Sequence, residues 1–230
     1  MNPILLSGTS NPDLAKRVAR LLKLPLGDIE ITRFIDNECR VYIKERVEGK
    51  TVVVIQSLST IADQHLVELC LIGQALKSLK AGKVIAVIPW LGYSKQDKEF
   101  RKGEAVSAQL VAKFIEAAGF DGVMTVELHS ENVLPYFRIP VTELSSHQPL
   151  VEALKKRTNI DAMVVVSPDR GGKSRSERFA KSVGLPIVYL VKKRDLATGI
   201  VTVTDIEGEV ENRDVIIFDD VEFGDIADKL

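Results

Sequence analysis

Short β-branched runs recur along the chain and alternate with stretches whose apolar residues are spaced as on one face of a helix. The runs predict strands, at residues 4–7, 29–33, 40–43, 52–56, 84–89, 123–128, 163–167, 187–191 and 215–218. The amphipathic stretches predict helices, at residues 11–22, 65–79, 105–118, 149–156 and 174–182. Nearly continuous apolar strands separated by helices indicate an α/β fold, doubly wound, with mainly parallel sheets covered on both faces. The runs 29–33 and 40–43 instead predict an antiparallel hairpin.

A polar segment near the middle of the chain predicts a boundary between two halves. It covers residues 142–148 (TELSSHQ), and a strand–helix alternation is completed before it and begins again after it. We therefore expect two similar domains, residues 1–144 and 145–230. The sequence stops soon after the run 215–218, so we expect the second half to be incomplete, with strand faces that need a partner to cover them.

Composition indicates a globular protein without a general attraction for polyanions. The chain has 230 residues, of which 45% are hydrophobic and 27% charged, enough for a sizeable core. Lys and Arg total 31 against 32 Asp and Glu, so we expect neither nucleic acid nor a membrane surface as a partner. Cys39 and Cys70 lack neighbours at metal-ligand spacing, and the N-terminus resembles neither a signal peptide nor an anchor. These features favour a cytoplasmic location.

Charged residues follow several predicted strands, where ligands bind in open α/β sheets. Cations can neutralise transferring phosphoryl oxygens, carboxylates and imidazole can bind Mg²⁺, and glycine lets the backbone approach a nucleotide. Each segment alone also fits ordinary turn, helix-cap or solvated-loop chemistry. Their combination favours phosphate transfer, and the segments are GYSKQD (92–97), ELH (127–129), SPDRGG (167–172), KKR (192–194) and DD (219–220).

A series of segments resembles the ribose-phosphate pyrophosphokinase family in order and spacing. They are SGTSNPDLA, RFIDNE, IQS, AVIPWLGYSKQDK, GEAVSAQLVAKFIEAAG, TVELH, VVVSPDRGG, VKKR and VIIFDD. The resemblance implies two phosphoribosyltransferase-like halves of the Rossmann-like type. It also implies an enzyme that transfers the β,γ-pyrophosphoryl group of Mg-ATP to the 1-hydroxyl of ribose 5-phosphate. The product would be phosphoribosyl pyrophosphate for nucleotide biosynthesis.

The resemblance assigns an ATP-binding role to the predicted hairpin. Phe34, Asp36, Asn37 and Glu38 match residues that reach into a neighbouring subunit to recognise adenine and ribose, which implies a homo-oligomer. Asn37 stands where the family has glycine, and we expect it to be tolerated because Asn also adopts the left-handed turn conformation. By its residue types alone, the same segment is also typical of a plain hairpin turn.

A second ATP-binding segment follows the predicted strand 84–89. Lys95, Gln96 and Asp97 match the family, except that Lys95 replaces an arginine. The positive charge is kept while the bidentate guanidinium geometry is lost, so we expect a looser contact with the ATP phosphates.

The resemblance implies Mg²⁺ as the cofactor and assigns ligands for it. His129 matches a residue that binds both the metal and ATP, and Asp169 matches the second metal position. Asp169 is equally suited to cap the helix predicted at 174–182, and both roles are compatible.

Catalysis and sugar binding are assigned to the second half. Lys192 and Arg194 match a basic pair on a mobile loop that closes over the transferring phosphoryl group, and that loop would span residues 192–199. Asp219 and Asp220, together with Arg194, match the ribose 5-phosphate site. No covalent intermediate is required, so the protein would contribute positioning and charge neutralisation.

The sequence departs from the family directly after Asp220. Residues 221–228 (VEFGDIAD) contain one glycine, no hydroxyl and three carboxylates, which would repel a sugar phosphate, so we expect a damaged acceptor site. A truncated or divergent enzyme is the leading hypothesis. A catalytically silent ATP-binding subunit, regulatory or structural, is the alternative. An ordinary phosphoribosyltransferase shares the fold and paired acids but not the segments RFIDNE, SKQDK and TVELH.

Overall fold

The apolar runs form two main sheets and a separate hairpin in the computed structural model, which describes residues 2–156, 160–168, 172–194 and 201–218. The chain divides into two compact units, Met1–Leu144 and Ser145–Leu230. No helix in the described ranges is both long and apolar enough to cross a membrane.

The first unit contains a five-stranded sheet in the order β1-β4-β5-β6-β7, in which all neighbours are parallel. The pair β2 and β3 forms an antiparallel hairpin. The elements are β1 (Ile4–Ser7), α1 (Pro12–Leu22), β2 (Ile29–Arg33), β3 (Cys39–Ile43), β4 (Thr51–Ile55), α2 (Ala62–Ser78), β5 (Lys83–Ile88), α3 (Ser107–Ala117), β6 (Gly122–Val126), a 3-10 helix (Glu131–Tyr136) and β7 (Val141–Leu144).

The core of the first unit follows from the periodicity of the strands. Alternate residues of β4 and β5 are fully buried, while the residues between them are half-buried. Since side chains alternate across a strand, both faces of the sheet are covered, one more completely than the other. The buried positions of α2 and α3 pack into the same cluster as these strands. The predicted doubly wound parallel architecture is confirmed.

The second unit contains a four-stranded sheet in the order β10-β9-β8-β11 among the described residues. β8 is parallel to β9 and β11, whereas β10 is antiparallel to β9. The phenyl rings of Phe179 and Phe218 stack in its core with their centroids 4.1 Å apart. The elements are α4 (His147–Lys155), a 3-10 helix (Ile160–Ala162), β8 (Met163–Ser167), α5 (Lys173–Val183), β9 (Ile187–Arg194), β10 (Val201–Glu207) and β11 (Asp214–Ile217).

Two strands escaped the sequence prediction because neither has a continuous apolar run. β7 overlaps the polar segment predicted as a domain boundary (residues 142–148) and lies at the edge of its sheet, where Val141 is half-buried and the other three residues are exposed. β10 alternates valine and threonine before Asp205, a pattern that suits an antiparallel strand with one solvated face. Neither was therefore predicted as a strand.

The predicted loop at residues 192–199 is corrected at its beginning. β9 extends to Arg194, and Lys192 and Arg194 pair with Val203 and Val201 across an antiparallel ladder. The cluster of three basic residues looked like a strand end, but backbone pairing with β10 continues β9 through Arg194, and that pairing cannot be seen in the local charge pattern.

Candidate functional site

The carboxyl ends of β1, β4, β5 and β6 meet at one edge of the parallel sheet, because these strands are consecutive neighbours that run in the same direction. Each is followed by a polar loop: residues 8–10, 56–60, 89–97 and 127–130. In sheets of this kind, such an edge is where ligands bind.

A buried carboxylate joins the first two of these loops. Glu68, on α2, is 0% exposed and accepts hydrogen bonds from Thr9 N at 2.7 Å, Thr9 Oγ1 at 2.6 Å and Gln56 Nε2 at 2.8 Å. Gln56 is also fully buried, and its Oε1 accepts from Ser10 N at 3.1 Å. Burial without a partner is costly for such groups, so these bonds fix the loops in one arrangement.

The same network continues to the loop after β5. The Ser57 amide donates to Ser10 Oγ at 2.7 Å, and Ser57 Oγ accepts from the Trp90 amide at 3.2 Å. Gly8 lies against the network so closely that a Cβ atom there would be 2.1 Å from Gln56 Oε1. Three strand-end loops are therefore braced by side-chain hydrogen bonds.

The predicted ATP segment after β5 is anchored by its own backbone and side chains. Gln96 accepts from Ser107 Oγ at 2.5 Å through Oε1 and from the Ala108 amide at 3.2 Å through its carbonyl, which ties the segment to the start of α3. Lys95 is exposed, with Nζ 6.0 Å from the centre of the Trp90 ring. A cation on a fixed loop that faces solvent is available to an anionic ligand.

Asp97 connects this segment to the loop after β6. Its side chain is largely buried, and Oδ2 accepts from Ser130 Oγ at 2.6 Å and from Asn132 Nδ2 at 2.9 Å. The hydroxyl of Tyr136 donates to the Asp97 carbonyl at 2.5 Å. The Ser130 hydrogen bond is the main cause that lowers the pKa of the Asp97 carboxyl from its ordinary value.

His129 lies on the loop that Asp97 holds, and β7 holds the same loop from its other side. Leu128 N donates to Glu143 Oε1 at 2.7 Å, and Glu127 N donates to the Leu144 carbonyl at 3.1 Å. Glu127 has φ 45, a left-handed conformation that strains a residue with a side chain. The unpredicted strand β7 thus helps to place the exposed His129.

The metal prediction fits the described residues only in part. Within those ranges, no group of three or more His, Cys, Asp or Glu side chains could hold a metal ion. Mg²⁺ commonly takes only one or two protein ligands, the rest being water and substrate phosphates. His129 at this exposed edge is compatible with one such contact, while Asp169 lies outside the described residues.

The hairpin tip carries the other predicted ATP residues. Phe34 N donates to the Glu38 carbonyl at 2.9 Å, Asn37 N donates to the Phe34 carbonyl at 3.0 Å, and Glu38 N donates to Asp36 Oδ1 at 3.1 Å. Asn37 has φ 70, so it does adopt the left-handed conformation expected at the family's glycine position. Phe34 is 52% exposed. The tip is internally hydrogen-bonded and presents its side chains outward.

The predicted residues of the second unit are described only in part. Lys192 is half-buried on β9, and Arg194 ends that strand. Asp219, Asp220 and residues 195–199 lie outside the described ranges.

Sequence reasoning missed the residues that support the site. Glu68 was overlooked although a sequence signal was present. It is a lone carboxylate within the apolar stretch LVELCLIG of α2 (residues 66–73), and such a group needs hydrogen-bond partners once that helix face is buried. Gln56 and Ser57 directly follow the apolar run Val52–Ile55 of β4, so their burial could also have been expected.

A doubly wound parallel sheet with braced polar loops at its carboxyl edge defines an α/β protein of the open-sheet, ligand-binding type. A sequence profile described as the N-terminal domain of ribose phosphate pyrophosphokinase matches residues 3–119. The ribose-phosphate pyrophosphokinase of Thermotoga maritima is 41% identical over 217 residues, which cover 94% of this chain and 69% of that protein. The protein of the same name from Ralstonia nicotianae is 38% identical, with 95% and 69% covered. This chain belongs to the ribose-phosphate pyrophosphokinase family.

A solved structure agrees with the sequence relatives. The crystal structure of phosphoribosylpyrophosphate synthetase from Mycobacterium smegmatis matches with a TM-score of 0.85 and 31% sequence identity. The match covers 96% of this chain and 72% of that one.

Proposed function

We propose that this chain is a ribose-phosphate diphosphokinase, which transfers the β,γ-pyrophosphoryl group of Mg-ATP to the 1-hydroxyl of ribose 5-phosphate. The products are AMP and phosphoribosyl pyrophosphate, a precursor for nucleotide biosynthesis. The observation that carries the proposal is the junction at Asp97, which brings the segments SKQDK and TVELH together at the carboxyl edge of one sheet. The names of the relatives support the same activity.

The first unit supplies the nucleotide contacts. Lys95 offers its ammonium group to the ATP phosphates, and Gln96 is held in place beside it by its hydrogen bonds to the start of α3. Asp97 belongs to the same segment. His129 on the adjoining loop completes the proposed contacts with the phosphates.

The exposed hairpin serves a second copy of the chain. Phe34, Asp36, Asn37 and Glu38 recognise the adenine and ribose of ATP in a neighbouring subunit. Support comes from the tip itself, where Phe34 and Ile35 are 52% and 107% exposed although both are apolar. Exposed apolar side chains on a rigid turn are typical of a contact with a partner, so the protein acts as a homo-oligomer.

Mg²⁺ is the proposed cofactor, with His129 and Asp169 as its protein contacts. When bound, the metal spreads the negative charge of the ATP phosphates. His129 contributes one imidazole from a loop fixed by Ser130 and Asn132. This modest protein contribution suits a metal that is coordinated largely by the nucleotide and by water.

The transfer is a direct displacement at the β-phosphorus. The sugar hydroxyl oxygen forms the new bond to that phosphorus while the bond to the oxygen bridging the α- and β-phosphates breaks. AMP leaves with the bridging oxygen, and the hydroxyl proton is released. Lys192 and Arg194 neutralise the charge of the transferring group, and Asp219 and Asp220, with Arg194, bind the sugar phosphate.

A cytoplasmic location is part of the proposal. Both cysteines, Cys39 and Cys70, are free thiols. Proteins that keep their thiols reduced are typical of the cytoplasm, whereas disulfides persist in oxidising compartments.

The alternative is a catalytically silent family member that binds ATP as a regulatory or structural subunit. The sequence observation that favours it is the segment 221–228, whose Glu222, Asp225 and Asp228 would repel a sugar phosphate. The two functions share the nucleotide site and differ in turnover.

Product analysis separates the two functions. Purified protein incubated with Mg-ATP and ribose 5-phosphate should form AMP and phosphoribosyl pyrophosphate in equal amounts, detected by chromatography and phosphorus NMR. Binding of Mg-ATP without formation of either product would contradict the enzyme and support the silent subunit.

The Lys192→Ala variant tests the catalytic assignment within the same assay. We expect kcat to fall at least 100-fold, because a cation that neutralises the transferring group is lost, while the oligomeric state stays unchanged. Lys181→Ala, which removes an exposed lysine in the last turn of α5, is the matched control and should retain full activity. An unchanged kcat in Lys192→Ala would contradict the role of this residue.

A further inference from the structure

Two loops carry the proposed ATP-phosphate contacts, and the side chain of Asp97 joins them. The segment after β5 contains Lys95 and Gln96, and the loop after β6 contains His129. Asp97 belongs to the first loop, but the side chains that donate to its carboxylate follow β6. Ser130 Oγ and Asn132 Nδ2 donate to Asp97 Oδ2 at 2.6 and 2.9 Å. Both side-chain hydrogen bonds of this connection therefore end on one carboxylate oxygen, and the Tyr136 hydroxyl adds a bond to the Asp97 carbonyl.

Burial and charge argue against a contact between Asp97 and ATP. The residue is only 7% exposed, and the oxygen at the junction already accepts two hydrogen bonds. A carboxylate placed directly against a triphosphate would also be repelled unless a metal lay between them. By contrast, Lys95 and His129 are both exposed.

We propose that Asp97 is a positioning residue, which holds the loop of His129 against the segment of Lys95 and Gln96 and does not itself touch the nucleotide. This inference rests on the proposed function, because it explains how the chain prepares the ATP site assigned above. Preorganised loops place their contacts without a further ordering cost when the substrate binds.

The negative charge of Asp97 is part of this role. Ser130 and Asn132 present two donors to the same oxygen, and an ionised acceptor makes shorter and stronger hydrogen bonds than a neutral one. The Tyr136 hydroxyl, which donates to the Asp97 carbonyl at 2.5 Å, fixes the backbone on the other side. An amide at position 97 could keep one acceptor, whereas alanine would keep none.

Kinetics and binding test the proposal in the intact chain. We expect Asp97→Ala to lower kcat/KM for ATP about 10- to 100-fold, a typical loss when a supporting residue is removed. The KM for ribose 5-phosphate should change less than twofold, and Asp97→Asn, which keeps an acceptor without the charge, should recover only part of the loss. Glu131→Gln, which removes an exposed acid next to the same loop, is the control and should behave as wild type.

A double-mutant cycle distinguishes positioning from direct contact. If Asp97 acts through its partners, Asp97→Ala combined with Ser130→Ala should be little worse than Asp97→Ala alone. Additive losses in kcat/KM for ATP would overturn the proposal. The proposal would also be overturned if Asp97→Ala lowered the free energy of unfolding but left kcat/KM for ATP unchanged.

Two measurements that need no turnover, the NMR signal of His129 and the affinity for Mg-ATP, test this inference separately from the proposed function. The chain has three histidines, so the imidazole resonance of His129 can be assigned with a His129→Asn variant. We expect Asp97→Ala and Ser130→Ala to broaden or shift that resonance and to weaken Mg-ATP binding about tenfold. If wild type shows no turnover but these changes occur, the proposed enzyme fails and the positioning role stands. An unaltered resonance and unaltered binding in both variants would overturn the positioning role.

Discussion

The two units organise their predicted functional residues by different physical means. In the first unit, buried side chains brace the strand-end loops, with Glu68 holding the loop of Thr9 and Asp97 holding the loop of Ser130. In the second unit, Lys192 lies in an antiparallel ladder, where the backbone pairing of β9 and β10 sets its position. Single side-chain changes should therefore disturb loop geometry in the first unit much more than in the second.

The hydrophobic core is also more extensive in the first unit than in the described part of the second. The first unit has one extensive cluster that joins both helices α2 and α3 to the sheet, whereas the described core of the second unit is split into two smaller clusters on either face of β8. A polar network embedded in a large core has little room to relax. Substitutions that crowd or empty it should be costly.

The largest expected effect comes from Gly8→Ala in the first unit. A Cβ atom there would lie 2.1 Å from Gln56 Oε1 and 2.9 Å from Glu68 Oε1, so the network must move. We expect the free energy of unfolding to fall by about 3–4 kcal/mol, from overpacking and from weakened buried hydrogen bonds. Urea unfolding followed by circular dichroism measures this.

Gly184→Ala in the second unit provides the contrast. Its Cβ would meet nothing within 4 Å, but the residue has φ +76, so only backbone strain is added. About 1 kcal/mol should be lost. Equal losses for the two variants would contradict the difference between the units.

The next effect is that of Glu68→Ala. Truncation leaves Thr9 N and Gln56 Nε2 without the carboxylate that accepts from them in the buried network. We expect a loss of about 2–3 kcal/mol in the free energy of unfolding. Gln74→Ala, at an exposed site on the same helix, is the control and should change stability by less than about 0.5 kcal/mol. A Glu68→Ala protein as stable as that control would show that the network is dispensable.

The smallest effect concerns Tyr189 in the second unit. Its hydroxyl donates to Glu177 Oε1 at 2.7 Å, and this hydrogen bond is the main cause that raises the pKa of Tyr189 to about 12. Tyr189→Phe should cost about 1 kcal/mol or less at neutral pH, since the pair is partly solvated.

The sign of the pH dependence follows from the raised pKa. The protonated phenol makes the bond, so its contribution is fully present below the ordinary tyrosine pKa of about 10 and is lost as the pH rises towards 12. In an absorbance titration, Tyr189 should ionise near pH 12, provided that the protein stays folded, and its part of the signal should vanish in Tyr189→Phe. Its persistence in the variant would exclude this assignment.

The sequence predicted those strands whose burial shows as a continuous run of apolar residues. The apolar runs of β4, β5 and β8 were found because both of their faces are covered, so that polar residues stand only at the strand ends. β7 and β10 were missed because they are edge strands with solvated residues. Their pairing depends on a neighbouring strand and not on local composition.

The candidate site residues at the surface were predicted from the sequence, whereas their supports were missed. Lys95, Gln96 and His129 follow apolar strands, and the structure brings the loops that carry them to one edge of the sheet, while their role in binding ATP stays a prediction. Glu68 acts across 59 positions of sequence to Thr9, and Asp97 across 33 to Ser130, so no local pattern reveals either pairing. The position of Lys192 within β9 was hidden for a related reason, since its partner strand had not been predicted.

The most direct test of the nucleotide site is a calorimetric titration of Mg-ATP into wild type and into the double variant Lys95→Ala/His129→Ala. Both side chains are exposed on braced loops, so removing them should leave the free energy of unfolding almost unchanged. Lys102→Ala, an exposed lysine of the following segment, serves as the control. We predict that the double variant binds Mg-ATP at least about tenfold more weakly than wild type and the control, about 1.4 kcal/mol. Equal affinity in all three proteins would contradict an ATP site at this edge of the sheet.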